Sequence, residues 1–171
     1  MDSKKQQFHL FLNNHIGIIR KLCRAYSNSN EDFEDYVQEV CYQLWKSLDN
    51  IRGESASSTW VYRITLNVCL TMLKKSKKLT IIPTEEKFIT SEIEKNQNSN
   101  HEERQINLLY DSITKLTPID RAIIMLYLDK KNHEDIAEIM GLSIANVGVK
   151  IFRIKKQIKK IIDERDAGHL E

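Results

Sequence analysis

The sequence predicts an all-α protein of two small helical domains joined by a flexible linker, the second of them a helix-turn-helix. Three observations carry that expectation. Apolar residues recur at helical spacing along most of the chain. Five Gly and two Pro in 171 residues, with a 41% hydrophobic share, suit long helices with few turns. Between Ser76 and Arg104 the periodicity disappears, and Asn96-Gln97-Asn98-Ser99-Asn100 is the most linker-like piece. The expected domains are residues 1–76 and 105–171, with 77–104 between them.

A first helix is expected over residues 5–26. Phe8, Phe11, Leu12, Ile16, Ile19, Leu22, Cys23 and Tyr26 form its apolar side, and Lys21 and Arg24 stay wet. Ser27-Asn28-Ser29-Asn30 is a polar break whose last residue can cap a second helix over 31–48. That helix buries Phe33, Val37, Val40, Leu44 and Leu48. Its other face carries Asp35, Gln38, Glu39, Tyr42 and Lys46, a mixed surface that suits either solvent or a partner. Residues 49–58, with Arg52, Gly53 and three serines, read as a loop.

A third helix, 59–75, is apolar nearly all round, which means burial on more than one side. Trp60 begins it, and core packing is favoured for it over stacking on DNA. One stripe differs: Arg63, Asn67 and Lys74 fall at i, i+4 and i+11, with Leu70 at i+7. Arg and Asn can bond base edges bidentately and Lys tracks phosphates. A solvated strip, with Asn67 capping a loop, is the competing reading.

The second domain opens with Ile106, Leu108, Leu109 and Ile113 and breaks at Leu116-Thr117-Pro118. Thr117 as N-cap, Pro118 at the first helical position and Asp120 at the third make a helix start. Ile119, Ile123, Ile124, Leu126 and Tyr127 fill this helix, and Asp129-Lys130-Lys131 closes it. Asn132 then caps a short helix holding Ile136, Ala137, Ile139 and Met140 on one face. Gly141 sits where a left-handed residue would end it, and Ser143 can cap the next.

That last helix, residues 144–162, has Val147, Ile151, Ile154 and Ile158 on a buried stripe. Ala145, Asn146, Val149, Phe152, Arg153, Lys156 and Lys160 point roughly the other way. Six Lys or Arg and no acid between Ile144 and Ile162 leave an unneutralised cation surface. Two helices joined by a three-residue, Gly-containing turn, the second basic, is the pattern that enters a DNA major groove. A basic amphipathic helix also suits a membrane surface or a target peptide. The Gly-x-Ser turn and Ala137 at the tight helix contact argue against a free peptide.

Composition excludes other classes. The formal net charge of +2 means that nucleic-acid affinity must come from clustering. Cys23, Cys41 and Cys69 lie on apolar-periodic stretches without His at ligand spacing, so reduced core thiols are expected rather than disulfides or zinc. No apolar run approaches the roughly 20 residues of a membrane span, and no signal-peptide core follows Met-Asp-Ser-Lys-Lys. A cytoplasmic protein without stable membrane insertion is expected. His9, His15, His101, His133 and His169 are scattered, with no catalytic triad, phosphate loop or metal spacing. Neither an enzyme nor a cofactor is therefore expected.

Three motifs resemble the bacterial sigma factors. Glu34-Asp35-Tyr36-Val37-Gln38-Glu39-Val40 with Leu44-Trp45-Lys46-Ser47-Leu48 is similar to their core-polymerase-binding helix. Arg52-Gly53-Glu54-Ser55, then Ser58-Thr59-Trp60-Val61-Tyr62-Arg63-Ile64 with Asn67, resembles the stretch that opens and reads the minus-ten element. Asp135-Ile136-Ala137 through Gly141-Leu142-Ser143 and Val147 resembles the minus-thirty-five reader. The short chain of two helical domains is similar to the extracytoplasmic-function group of the sigma-70 family.

The resemblance implies a factor that binds core RNA polymerase and directs promoter-specific initiation. Asp35, Gln38, Glu39 and Tyr42 would dock on the polymerase. Arg52, Ser58, Arg63, Asn67 and Lys74 would hold the minus-ten element and the melted non-template strand. Ser143, Ala145, Asn146, Val149, Lys150, Phe152, Arg153 and Lys156 would meet the duplex minus-thirty-five element. An anti-sigma partner is expected from the family. Relatives often carry Thr-Val-Lys-Ser-Arg where this chain has Asn146-Val147-Gly148-Val149-Lys150, so promoter sequence does not carry over. The competing function is a stand-alone helix-turn-helix regulator that binds an operator without polymerase.

Overall fold

The computed structural model describes residues 2–48, 54–79 and 101–167, whose regular elements are helices. In order they are α1 (Asp2–Tyr26), α2 (Asn30–Ser47), α3 (Glu54–Leu79), α4 (His101–Thr114), α5 (Pro118–Leu128), α6 (His133–Met140) and α7 (Ile144–Ala167). The chain divides between Ser91 and Glu92 into two compact units. Most of the expected linker lies outside the described residues. Its ends do not: residues 77–79 belong to α3 and 101–104 to α4. Glu102 and Glu103 in the first turn of α4 suit the positive end of a helix dipole.

In the first unit α1, α2 and α3 pack against one another. Ile19, Leu22 and Tyr26 from α1, Tyr36, Val40 and Leu44 from α2 and Val61, Leu66 and Cys69 from α3 are buried in its core. Each such aliphatic side chain contributes about 1.5–3 kcal/mol by leaving water. Phe33, Val37 and Leu48, expected inside, are only half-buried, while Tyr36 is buried in their place. Aromatic edges close the rim: Phe8 meets Trp45 at 5.1 Å and Phe11 meets Trp60 at 5.9 Å between centroids. Trp60 thus packs on α1, as its place at the head of an apolar helix suggests.

α1, α3 and α7 run a few residues past their expected ends, and two further boundaries differ from expectation. The cap of α2 is Ser29, not Asn30: the Asp32 N–H donates to Ser29 Oγ at 3.0 Å. Both residue types accept such a bond, so sequence alone does not separate neighbours. Residues 54–58, expected in a loop, form the first turns of α3. Ser and Ala extend an existing helix at small cost, since nucleation rather than propagation is the expensive step.

In the second unit α7 packs against α4, α5 and α6. Its boundaries follow local chemistry. The Asp120 N–H donates to Thr117 Oγ1 at 3.2 Å, with Pro118 at the first position of α5. The Asp135 N–H donates to Asn132 Oδ1 at 2.7 Å, and the Asn146 N–H to Ser143 Oγ at 3.3 Å. Arg121 is buried, and one guanidinium nitrogen donates to the carbonyls of Thr114 and Leu116. A cation there satisfies carbonyls at the end of α4 and complements its dipole.

Candidate nucleic-acid interface

The turn between α6 and α7 is three residues long and is governed by Gly141 at φ +66° and ψ 37°. L-residues with a Cβ adopt that region at a cost, and glycine does not. The Leu142 N–H donates to the Ala137 carbonyl at 3.0 Å, closing α6 and fixing the angle at which α7 leaves. Val147, Ile151, Ile154 and Ile158 are buried, as their spacing predicts. Ser143, Ala145, Asn146, Val149, Phe152, Arg153 and Lys156 are exposed on the remaining surface.

Two expectations about this surface are corrected. Lys150 is only half-exposed, and its Nζ lies 3.0 Å from Asp120 Oδ1 on α5, so its charge is already paired within the unit. The cation surface is also partly neutralised by groups outside the 144–162 window. Lys160 pairs with Glu164 at 3.7 Å. Lys155 Nζ donates to the Tyr127 hydroxyl at 2.6 Å, a hydrogen bond that brings no counter-charge. Arg153 is exposed and has no ion pair among the described residues. Lys156 Nζ lies 4.6 Å from the Phe152 ring centroid.

In the first unit Asp35, Gln38 and Tyr42 are exposed along the outer side of α2. Glu39 is half-buried, accepts from Gln43 Nε2 at 2.7 Å, and turns toward α3. There it shares the wall of an open groove of about 580 Å³ with Gln43, Asn67, Thr71 and Lys75. Glu39 and Asn67, assigned by sequence to separate faces, therefore border one concavity. Periodicity within single helices does not reveal a groove built by two. Arg63, Asn67 and Lys74 are exposed on α3, Leu70 is half-buried among them, and Ser58 is half-buried. Arg52 lies outside the described residues.

The three thiols are unbridged, Cys23 and Cys69 buried and Cys41 half-buried. A hydrogen bond with Cys23, then burial, pushes the Cys69 thiol far above its ordinary 9.0. Burial, then the neighbouring Cys23, raises Cys41. Among the described residues no cluster of His, Cys, Asp or Glu is arranged to hold a metal ion, and no helix is long and apolar enough to cross a membrane.

One helical unit with outward polar faces and a second unit that presents a helix-turn-helix are the architecture of a transcription protein. Family models for sigma-70 region 2 and sigma-70 region 4 match residues 11–79 and 106–158. The chain is 28% identical to an extracytoplasmic-function RNA polymerase sigma-E factor of Haemophilus influenzae, over 92% of this chain and 88% of that protein. It is 29% identical to the sigma-E factor of Escherichia coli, over 74% and 72%. Its fold matches the sigma factor RpoE, solved with the anti-sigma factor NepR from Bartonella quintana, at TM-score 0.74 and 18% identity, over 95% of this chain and 98% of that one. CnrH, solved with the cytosolic domain of CnrY, matches at TM-score 0.65 and 17% identity, over 94% and 90%. The chain belongs to the sigma-70 family of RNA polymerase sigma factors, in its extracytoplasmic-function group. It directs RNA polymerase to promoters.

Proposed function

We propose that the work of initiation is divided between the two units, residues 1–76 serving polymerase docking and the minus-ten element and residues 105–171 the minus-thirty-five element. Asp35, Gln38 and Tyr42 dock on core polymerase, where carboxylate and amide meet a basic surface and the ring supplies area. Arg63, Asn67 and Lys74 hold the non-template strand as it separates. Unstacking costs a few kcal/mol per base, and a site that captures a displaced base offsets part of that. The outer face of α7 binds the duplex upstream. Two modest DNA contacts, held together on one enzyme, sum to tight and selective binding. The bond-making chemistry is the polymerase's.

The observation that carries this reading is that one chain bears both an exposed α2 face and an exposed, cationic α7 face set by the Gly141 turn. The sigma-factor relative solved with an anti-sigma factor supports an inhibitor of that kind as a further partner.

The test is Asp35→Lys combined with Tyr42→Ala. Both side chains are exposed, so stability should move by no more than about 0.5 kcal/mol each. Affinity for core polymerase should fall about tenfold or more, the scale of one lost interfacial aromatic or charge. Unchanged polymerase affinity in a folded variant would remove the docking face from α2.

A further inference from the structure

The exposed side of α7 is more apolar than a helix that only neutralises phosphates requires. Phe152 is 60% exposed and Val149 49%. Ala145, one turn before Val149, is exposed as well. These three residues stand at i, i+4 and i+7 on one line. At 1.5 Å per residue that line is about 10 Å long, which covers about three base pairs at 3.4 Å each. Asn146 lies beside it, exposed.

Charge surrounds this strip without filling it. Arg153 and Lys156 follow it along the helix, and Lys156 Nζ is within 4.6 Å of the Phe152 centroid. Lys150, the cation nearest the middle of the strip in sequence, is tied to Asp120 on α5. The centre of the presented face therefore offers methyl groups and a ring. Its rim supplies the positive charge.

We propose that Ala145, Val149 and Phe152 read thymine C5-methyl groups in the major groove while Asn146 takes an adenine edge, so that the upstream element is A·T-rich over about three base pairs. This deepens the assignment of α7 to the minus-thirty-five element and rests on it. In the major groove only thymine carries a methyl, and an apolar side chain against it separates thymine from cytosine without a hydrogen bond. Asn bonds adenine N6 and N7 bidentately. The occupant is a duplex rather than a second copy of the chain. Two copies of this strip paired in parallel would set Arg153 and Lys156 of each against the same cations of the other, and paired antiparallel would set them against Ile144 and Gly141 with no acid to meet them, whereas phosphates answer them.

The experiment uses holoenzyme assembled from the full chain and core RNA polymerase. Duplexes with a randomised upstream element ahead of a fixed downstream promoter are selected for binding. Each thymine of the selected element is then replaced by deoxyuridine, which removes one methyl and nothing else. The expected element holds at least two thymines within three adjacent base pairs. Each critical deoxyuridine should weaken binding about fourfold, the equivalent of about 0.8 kcal/mol for one buried methylene. Phe152→Ala should erase the penalty at one position, Phe152→Leu should keep part of it, and Arg153→Ala should leave it in place.

A selected element without thymine, or equal affinity for thymine and deoxyuridine, overturns the methyl reading and leaves α7 as a DNA contact. A holoenzyme with no upstream preference of any kind sinks the assignment of α7 and this inference together. Self-association that Phe152→Ala abolishes, with no deoxyuridine penalty, would assign the strip to a second copy.

Discussion

The first unit consists of helices of 25, 18 and 26 residues, whereas the second holds its 24-residue α7 with partners of 14, 11 and 8. The helices of the second unit, the short ones and α7 alike, are finished at their ends. Thr117, Asn132 and Ser143 cap, Gly141 turns, and Arg121 covers carbonyls at the end of α4. The long helices of the first unit, apart from the Ser29 cap of α2, rely more on apolar contact along their length, from Ile19 to Tyr26 and from Tyr36 to Leu44. A helix of eight residues has few internal hydrogen bonds to set against its nucleation cost, so its orphan end groups weigh more. The difference has a functional side. The second unit aims one helix by a turn, and the first offers surfaces whose position follows from the packing of whole helices.

If end chemistry governs the second unit, Arg121 is its most sensitive point. Arg121→Met keeps most of the apolar stem but strips the donors from two carbonyls in a buried place. Losing hydrogen bonds to a charged group costs about 1.5–3 kcal/mol, and the second unit should bear all of it. Urea unfolding, followed by hydrogen exchange in α4–α7 and in α1–α3 separately, checks this. Equal loss of protection in both units would mean that they unfold as one, and the contrast drawn between them would fail.

Gly141→Val comes next. No heavy atom lies within 4 Å of the place its Cβ would take, so the penalty is backbone strain at φ +66° and not a clash. About 2 kcal/mol is expected for a β-branched residue held there. Gly141→Asn should cost clearly less, because Asn tolerates the left-handed region. Binding to the minus-thirty-five element should suffer more than stability, since relief of the strain rotates α7. Val and Asn variants of equal stability and equal DNA affinity would show that the turn does not aim the helix.

Those end devices are also what made the second unit legible. Thr117-Pro118-x-Asp120, Asn132 and Gly141-Leu142-Ser143 act within a few residues of their own position, so reading the chain in order finds them. The stripe from Val147 to Ile158 is legible for the same reason. The Lys150–Asp120 pair joins residues 30 apart, and no helical period contains it. Arg121, drawn inside to serve α4, reads in sequence as one more surface cation. In the first unit, Tyr36 displaced Phe33 and Val37 from the deepest positions because three helices, not one face, decide what closes the core. Glu39 and Asn67 met in a groove on the same account. The face of α2 carries no local signature of what it binds, and only the resemblance to sigma factors assigned it a partner, whereas the Arg63, Asn67 and Lys74 stripe of α3 offered residue types suited to nucleic acid.

The smallest expected effect follows from the thiols, all three of which lie in the first unit, one each on α1, α2 and α3. The second unit contains no cysteine among the chain's three, so thiol titration probes one unit alone. Cys69 is raised by its hydrogen bond with Cys23 and then by burial. A folded thiol that holds its proton more tightly than the unfolded one contributes stability that is complete below the unfolded value. Above that value the unfolded chain sheds a proton that the folded chain keeps, and stability falls as pH rises. The ordinary value is 9.0, so the first unit should lose about 1 kcal/mol through Cys69 between about pH 9 and about pH 10. Protonated thiols are also poor nucleophiles. In the native chain near neutral pH, Cys41 should therefore react first with a disulfide reagent, being half-buried where the other two are enclosed. Unfolding of the first unit should expose all three at once. Cys69→Ala tests the assignment directly: its baseline stability drops, and the alkaline slope of the first unit flattens. A slope unchanged by that substitution would trace the pH dependence to other groups and remove Cys69 as its source.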